Sequence, residues 1–181
     1  MIIAVWGLSG AGKNTLGGLL AKRLGYRTVS PTFKDLAAKE GIPLLEFQKK
    51  AEKDLEIDRK FDAFLKEEAG RGNCVVTTWL GPWLLPADFR ILVFAPEKVR
   101  IERVAKRESL SEKEAARYVR EKDSGNIARY KKVYGIDITD TSSFDIALSA
   151  GTYRPEQMAE IALVAIEKKF GKKPGDSHGS N

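Results

Sequence analysis

The chain has 181 residues, 43% of them hydrophobic and 31% charged, with a formal charge of +6 and a single cysteine. That length suits one domain with a sizeable core, and without an apolar run of about 18 residues no membrane span is expected. A lone Cys74 excludes an internal disulfide and fits a reducing cytosol, while the positive balance favours anionic ligands: nucleotides, nucleic acid or an anionic surface.

Residues 2–6, IIAVW, are apolar throughout, as a strand buried on both faces reads. The chain runs straight into this strand, with no basic segment or cleavage site of a signal peptide. GLSGAGKNT follows at 7–15, then Leu16, Leu19, Leu20 and Leu24 at helical spacing, closed by Gly25. YRTV at 26–29 reads as a short second strand. Residues 32–69 read as helices: TFKDLAAKEG to Gly41, then IPLLEFQKKAEKD, then IDRKFDAFLKEEAG with Gly70 as a stop. CVVTTWL at 74–80 and FRILVFA at 89–95 are expected to be the third and fourth strands. Pro96 and Glu97 open a charged helix, KVRIERVAKRE. SLSEKEAARYVREKDSGNIARYKKVYG is helical, with a break expected at Ser124-Gly125-Asn126. SFDIALSA at 143–150 is a fifth strand, and Pro155 begins a last amphipathic helix to about Phe170. The Gly/Ser/Pro-rich tail 171–181, which carries His178, is expected to be flexible. Short apolar strands alternating with helices predict one α/β domain over 1–170, a parallel sheet with helices on both faces.

GLSGAGK matches G-x-x-x-x-G-K at Gly7, Gly12 and Lys13, between a buried strand and a helix. The chemistry asks for these residue types. Glycines let backbone N–H groups turn inward around phosphate oxygens. The helix that follows points its N-terminus at the same anion, and Lys13 adds a point charge for the β- and γ-phosphates. Gly7, Leu8, Ser9, Gly10, Ala11, Gly12, Lys13, Asn14 and Thr15 are therefore the expected cradle of ATP. Asn14 stands where the general pattern places a Ser or Thr on Mg2+. An amide oxygen is the poorer ligand there, and Thr15 is the expected metal contact.

Other residues read less sharply. Arg103 and Arg107 are four apart and share a helix face, but with Glu102 and Glu108 beside them they also read as a solvated charged face. Asp58 and Arg59 alone read as a surface pair. Asp137, Asp140 and Asp145 could suggest a metal, though their loop-like setting favours caps and turns. Cys74 opens an apolar strand and reads as a small buried hydrophobe, and Trp79 and Trp83 read more readily as packing than as ligand contacts.

The chain resembles the archaeal-type cytidylate kinases, within the adenylate-kinase-like nucleoside monophosphate kinases. GLSGAGKNT, FKDLAAKEGIPLLEFQKKAEKDLEIDRKFD, ILVFAPEKVRIERVAKRE, and ARYKKVYGIDITDTSSFDIAL followed by GTYRPEQ carry the resemblance, which reaches about residue 170. It implies a P-loop three-layer α/β fold with a five-stranded parallel sheet, a helical monophosphate-binding arm over about 31–70 and a mobile lid over about 107–132. It implies phosphoryl transfer from ATP with Mg2+ to a nucleoside monophosphate, CMP or dCMP; the expected partners are small-molecule nucleotides, with nucleic acid not excluded and no membrane, and the protein is expected to be a cytoplasmic monomer. On the same resemblance Lys13, Arg103, Arg107, Arg120 and Arg129 are the catalytic cations, which position two anionic phosphates and neutralise the charge between them. Lys34, Asp58, Arg59 and Trp79 line the acceptor site, and the turn 151–157 contacts adenine through its backbone. Loops written G-K-x-T in this group commonly have a small residue at x and hold the metal largely through waters and phosphates, so Asn14 is unusual among them.

The departures from the family fall at the acceptor. Lys34 stands where an Arg is usual; it keeps the charge and loses the two-pronged grip. Thr78 and Trp79 stand where an acidic residue and an Arg for the acceptor phosphate are usual, and Pro31 occupies the turn SPTF where a flexible residue is usual. The donor half is thus expected intact and the acceptor half remodelled: either the acceptor is another small molecule, or other cations take over. Two readings lie in other classes. A P-loop ATPase serving RNA or ribosome assembly fits the basic balance but lacks an RNA-binding signature. A degenerate nucleotide sensor fits poorly with an intact Lys13 and Thr15.

Overall fold

The structure is a computed structural model that describes residues 1–31, 33–42 and 55–171. Five strands form one sheet, all parallel, in the order β2-β3-β1-β4-β5. They are β1 (Ile2–Trp6), β2 (Arg27–Val29), β3 (Cys74–Val76), β4 (Phe89–Phe94) and β5 (Ile146–Ser149). The helices are α1 (Lys13–Leu24), α2 (Phe33–Glu40), α3 (Leu55–Gly70), α4 (Gly81–Leu84), α5 (Glu97–Glu108), α6 (Glu112–Tyr134) and α7 (Pro155–Phe170).

The apolar run of β1 earns it the central place, with Ile3 opposite Val75 of β3 on one side and Phe89 of β4 on the other. Alternation along β4 divides its side chains between two cores. Ile91 and Val93 pack with Leu16 and Leu20 of α1 and with Met158 and Ala162 of α7. Leu92 joins Trp6, Leu80, Trp83, Ile127, Tyr130 and Ile138 on the opposite face, beneath α4 and α6. The sheet is therefore covered on both faces, as the sequence pattern predicts, and β1 delivers the chain at Trp6 directly into the glycine loop.

Three expectations change. α6 is continuous and has no break at 124–126. Ser111 and Glu114 form a reciprocal cap at its start, and Gly135, at φ 67°, ends it. One interior glycine costs only about 1 kcal/mol, against which Ile127 and Tyr130 pack into the second core. The third strand stops at Val76 rather than running to 80, because Thr78 Oγ1 accepts from Gly81 N–H and turns the chain into the short helix α4, which the sequence reading missed. The fifth strand begins at Ile146, after a turn in which Phe144 N–H donates to Thr141 O. The expected helix IPLLEFQKKAEKD, apart from Ile42, and the tail beyond Gly171 lie outside the described residues. Two of the three aspartates take the expected turn roles, and Asp145 instead ties β4 to α7. Asp137 and Asp140 accept from Thr139 and Ser142 in turns, and Asp145 accepts from Arg90 N–H and from Lys169 Nζ. Cys74 is buried.

α1 lies so close to the sheet that a Cβ at Gly17 would stand 2.3 Å from Thr77 Cγ2, whereas one at Gly18 would meet nothing within 4 Å. Gly17→Ala is expected to lower stability by about 1–3 kcal/mol through overpacking. Gly18→Ala, in the same helix, should raise it by about 0.5–1 kcal/mol. Thermal denaturation separates the two; shifts of the same sign would remove the close-approach argument.

Candidate active site

The loop between β1 and α1 is built for anions. Gly10 and Gly12 take positive φ, 78° and 105°, and Ala11 N–H donates to Leu8 O at 3.0 Å. The first helical bond of α1 runs from Leu16 N–H to Gly12 O, and no side chain caps the helix. The amides of Lys13, Asn14 and Thr15 therefore precede the first i−4 carbonyl and point out of the positive end of the helix. The side chains of Asn14 and Thr15 are exposed, and the first turn holds no acidic residue.

Ser9 is gripped on both backbone atoms. Its N–H donates to Asp123 Oδ1 at 3.0 Å, and its carbonyl accepts from Arg100 Nη1 at 3.0 Å. The same Nη1 lies 2.6 Å from Asp123 Oδ2, in an ion pair buried on both sides. The loop is thus tied to α5 through Arg100 and to α6 through Asp123.

Lys13 stands among cations. Its pKa is lowered to about 8, first by burial, then by Lys122 and more weakly by Arg107, with Asp123 pulling the other way. Among the described residues no carboxylate pairs with it. Its Nζ lies 5.2 Å from the centroid of the Trp79 ring, a cation–π contact, and Trp79 in turn stands edge-on to Trp6. Trp79 therefore both packs, as a bland reading expects, and faces the phosphate loop.

The remaining candidates divide. Arg103 donates from Nη1 to Ala11 O at 3.3 Å and from Nη2 to Ala150 O at 2.7 Å, bridging the phosphate loop to the turn after β5. Arg107, close enough to act on Lys13, pairs with Glu108 at the surface. Arg120 pairs with Glu97 on α5, and its side chain is exposed. Arg129 reaches across to α3 and holds Asp58 at 2.5 Å. Asp58 thus pairs with Arg129 of α6, 71 residues away in the chain. Asp62, one turn further along α3, is raised in pKa mainly by burial, with Tyr134 of α6 pulling the other way. Tyr130 is pushed up to about 12 by burial. Arg59 is exposed. Lys34 falls in the first turn of α2, and its side chain lies outside the described residues.

Sequence reasoning missed Arg100, Lys122, Asp123 and Asp62. Arg100 carried a readable signal: it is three residues before Arg103, on a helix whose other apolar positions, Ile101 and Val104, face inward. Nothing local distinguishes Asp123 from the other acidic residues of a highly charged helix.

The sequence pattern of the cytidylate kinase-like family matches residues 2–152. A cytidylate kinase of Pyrococcus abyssi is 39% identical over 175 residues, covering 95% of this chain and 97% of its own. One from Sulfurisphaera tokodaii is 34% identical, covering 89% and 92%. Among solved structures, an uncharacterized protein from Eubacterium ventriosum aligns with a TM-score of 0.72 at 18% identity, over 92% of this chain and 98% of that one. A shikimate kinase from Acinetobacter baumannii in complex with shikimate aligns at 0.62 and 16% identity, over 94% and 95%; at such identities the likeness concerns the fold alone.

The state of Lys13 sets a pH dependence. In the free protein its charge is present below about pH 8 and lost as pH rises through that value. ATP affinity should follow, falling ~30-fold by about 1.5 pH units above the midpoint if only the charged form binds. Lys13→Arg stays charged and should flatten that limb. Calorimetric ATP titrations between about pH 6.5 and about pH 9.5 test this; a wild-type affinity unchanged across the range would remove Lys13 from the phosphate site.

Proposed function

This chain belongs to the cytidylate kinase-like family, and we propose that its glycine loop carries ATP while the γ-phosphoryl group passes to CMP or dCMP. One observation carries the assignment of the site: Lys13 sits partly buried at the loop's base, without a carboxylate partner among the described residues, while Arg107 and Lys122 add positive charge around it. Such an arrangement is unfavourable when empty and favourable around a triphosphate, since cations already in place stabilise charge that builds in the transition state.

The phosphate chain of ATP lies in the cradle of loop amides, and the adenosine end lies beside Arg103 and the turn 151–157. An oxygen of the acceptor's phosphate attacks the γ-phosphorus in line; the new P–O bond forms as the bond to the β,γ-bridging oxygen breaks, leaving ADP. The attacking oxygen is already ionised, so the protein supplies position and charge rather than a base. Lys13 bridges toward the leaving β-phosphate, and Arg107, Arg120 and Arg129 act from α5 and α6. Mg2+ supplies further charge neutralisation when bound with the triphosphate; the exposed Thr15 hydroxyl and Asn14 amide at the start of α1 are the side chains that suit it, with no carboxylate in that turn to hold it tightly.

Residues 31–70 serve as the monophosphate arm, and the stretch 107–132, which spans the end of α5 and most of α6, supplies Arg107, Arg120 and Arg129 from elements that stay packed against the sheet. Asp58 and Arg59 belong to the acceptor side with Lys34, and the Arg129–Asp58 pair joins α6 to that arm. Trp79 supplies a flat ring beside Lys13 where related chains place a cation, so the grip on the acceptor phosphate falls to Lys34, Arg59 and Arg129. The substrates are small molecules, and among the described residues no helix is long and apolar enough to cross a membrane.

The deciding assay is ADP formation from ATP and Mg2+ with CMP, dCMP, UMP, AMP, GMP, nucleosides or no acceptor. Turnover that depends on CMP or dCMP is expected, and Lys13→Met should lower kcat by at least ~10²–10³-fold with an unchanged circular dichroism spectrum. Turnover only without acceptor would turn the assignment toward an ATPase; full activity in Lys13→Met would remove the loop from the chemistry.

A further inference from the structure

The contact of Asp123 with the loop has no counterpart in the roles assigned so far. Ser9 N–H belongs to the loop proposed to hold ATP, yet it is committed to a side chain from α6. Ser9 itself, Arg100 and Asp123 are all buried. The Arg100 guanidinium closes a ring of contacts by reaching both the Ser9 carbonyl and the Asp123 carboxylate through one nitrogen. Gly10, the next residue, lies against the Arg100 carbonyl so tightly that a Cβ there would stand 2.5 Å from that oxygen. Two helices therefore meet on two consecutive loop residues.

A carboxylate on such an amide could stand in for a phosphate and leave when ATP arrives. The arrangement speaks for a fixed clasp. Withdrawal of Asp123 would strand the Arg100 charge under the loop, and a buried charge without its partner is strongly unfavourable. We propose that Asp123 is a positioning residue for phosphoryl transfer: held by Arg100, its carboxylate fixes the Ser9 amide, sets the curvature of the phosphate loop, and thereby sets where Lys13 and the first-turn amides of α1 meet the triphosphate. Ser9 N–H is then a structural amide, and the phosphates are left to Gly10, Gly12, Lys13, Asn14 and Thr15. The inference rests on the reading of this loop as the ATP site.

Single substitutions confuse position with charge burial, because each leaves one charge unpaired. The test therefore compares two double variants that both remove the ion pair, Arg100→Met with Asp123→Asn and Arg100→Met with Asp123→Ala. Only the first keeps an acceptor for Ser9 N–H. At matched melting temperatures, the Asn variant should bind ATP-Mg ~5–10-fold more tightly than the Ala variant, the worth of one retained hydrogen bond. Equal affinities would overturn the proposal. Hydrogen exchange of the Ser9 amide in the wild-type protein, followed by NMR, covers the case in which either variant does not fold. Slow exchange both without and with ATP is expected; rapid exchange without ATP, or protection that disappears when ATP is added, would overturn the clasp as well. Wild-type protein that binds ATP but does not phosphorylate CMP would sink the acceptor assignment and leave this comparison intact. Wild-type protein that binds no ATP would sink both.

Discussion

The approach of the phosphate loop to α5 leaves no space for a side chain at Gly10, where a Cβ would stand 2.5 Å from the Arg100 carbonyl oxygen and 3.0 Å from its carbonyl carbon and Cα. The backbone at that point also has φ 78°, a region that L side chains rarely adopt. Both demands fall on one residue, and both follow from a loop that must turn back on itself within the few residues between the end of β1 and the start of α1. Once the loop is laid against α5, Arg100 lies beneath it, Asp123 must neutralise Arg100, and α6 is drawn over the second face of the sheet. The placement of two helices therefore follows from one tight passage of backbone.

The electrostatics of the site follow a related logic. Burial and the neighbours Lys122 and Arg107 all work against the charged form of Lys13, and Asp123 favours it. A folded protein tolerates this because the ammonium meets the face of Trp79, a soft partner that attracts a cation without forming an ion pair that a phosphate would have to break. An aspartate in place of that ring would hold Lys13 more tightly and compete with the substrate. Trp79 thus faces Lys13 as well as taking its place in the packing around Trp6.

The glycine loop, the α/β alternation and most element boundaries were legible because each rests on local chemistry: an apolar strand, a helix stop such as Gly25, a Pro at a helix start. The same locality explains the misses. Gly125 reads as a breaker in a chain taken by itself, but α6 is held by Ile127 and Tyr130 against a core made of residues far away in sequence. CVVTTWL has the composition of a strand, and only the Thr78 hydroxyl, by capping Gly81 N–H, turns its second half away from the sheet. At the site, Lys13 stood out by its motif, and Arg103 came forward through the family resemblance rather than through its spacing. Asp123 lies 114 residues from the amide it holds, and Asp58 lies 71 residues from Arg129; such partners are set by topology, which no short window contains.

The unbroken course of α6 has a thermodynamic consequence. Asp123 fastens this helix to the glycine loop, and Arg129, about 9 Å further along the axis, fastens it to Asp58 of α3. A rigid rod pinned at two points cannot shift at one without loading the other. A ligand that moves α6 at the loop also loads its contact with α3, and linkage requires any such effect to be mutual: the factor by which a ligand at one end changes affinity at the other is the same in both directions. An interrupted helix, with a hinge at residues 124–126, would have let its two ends move independently.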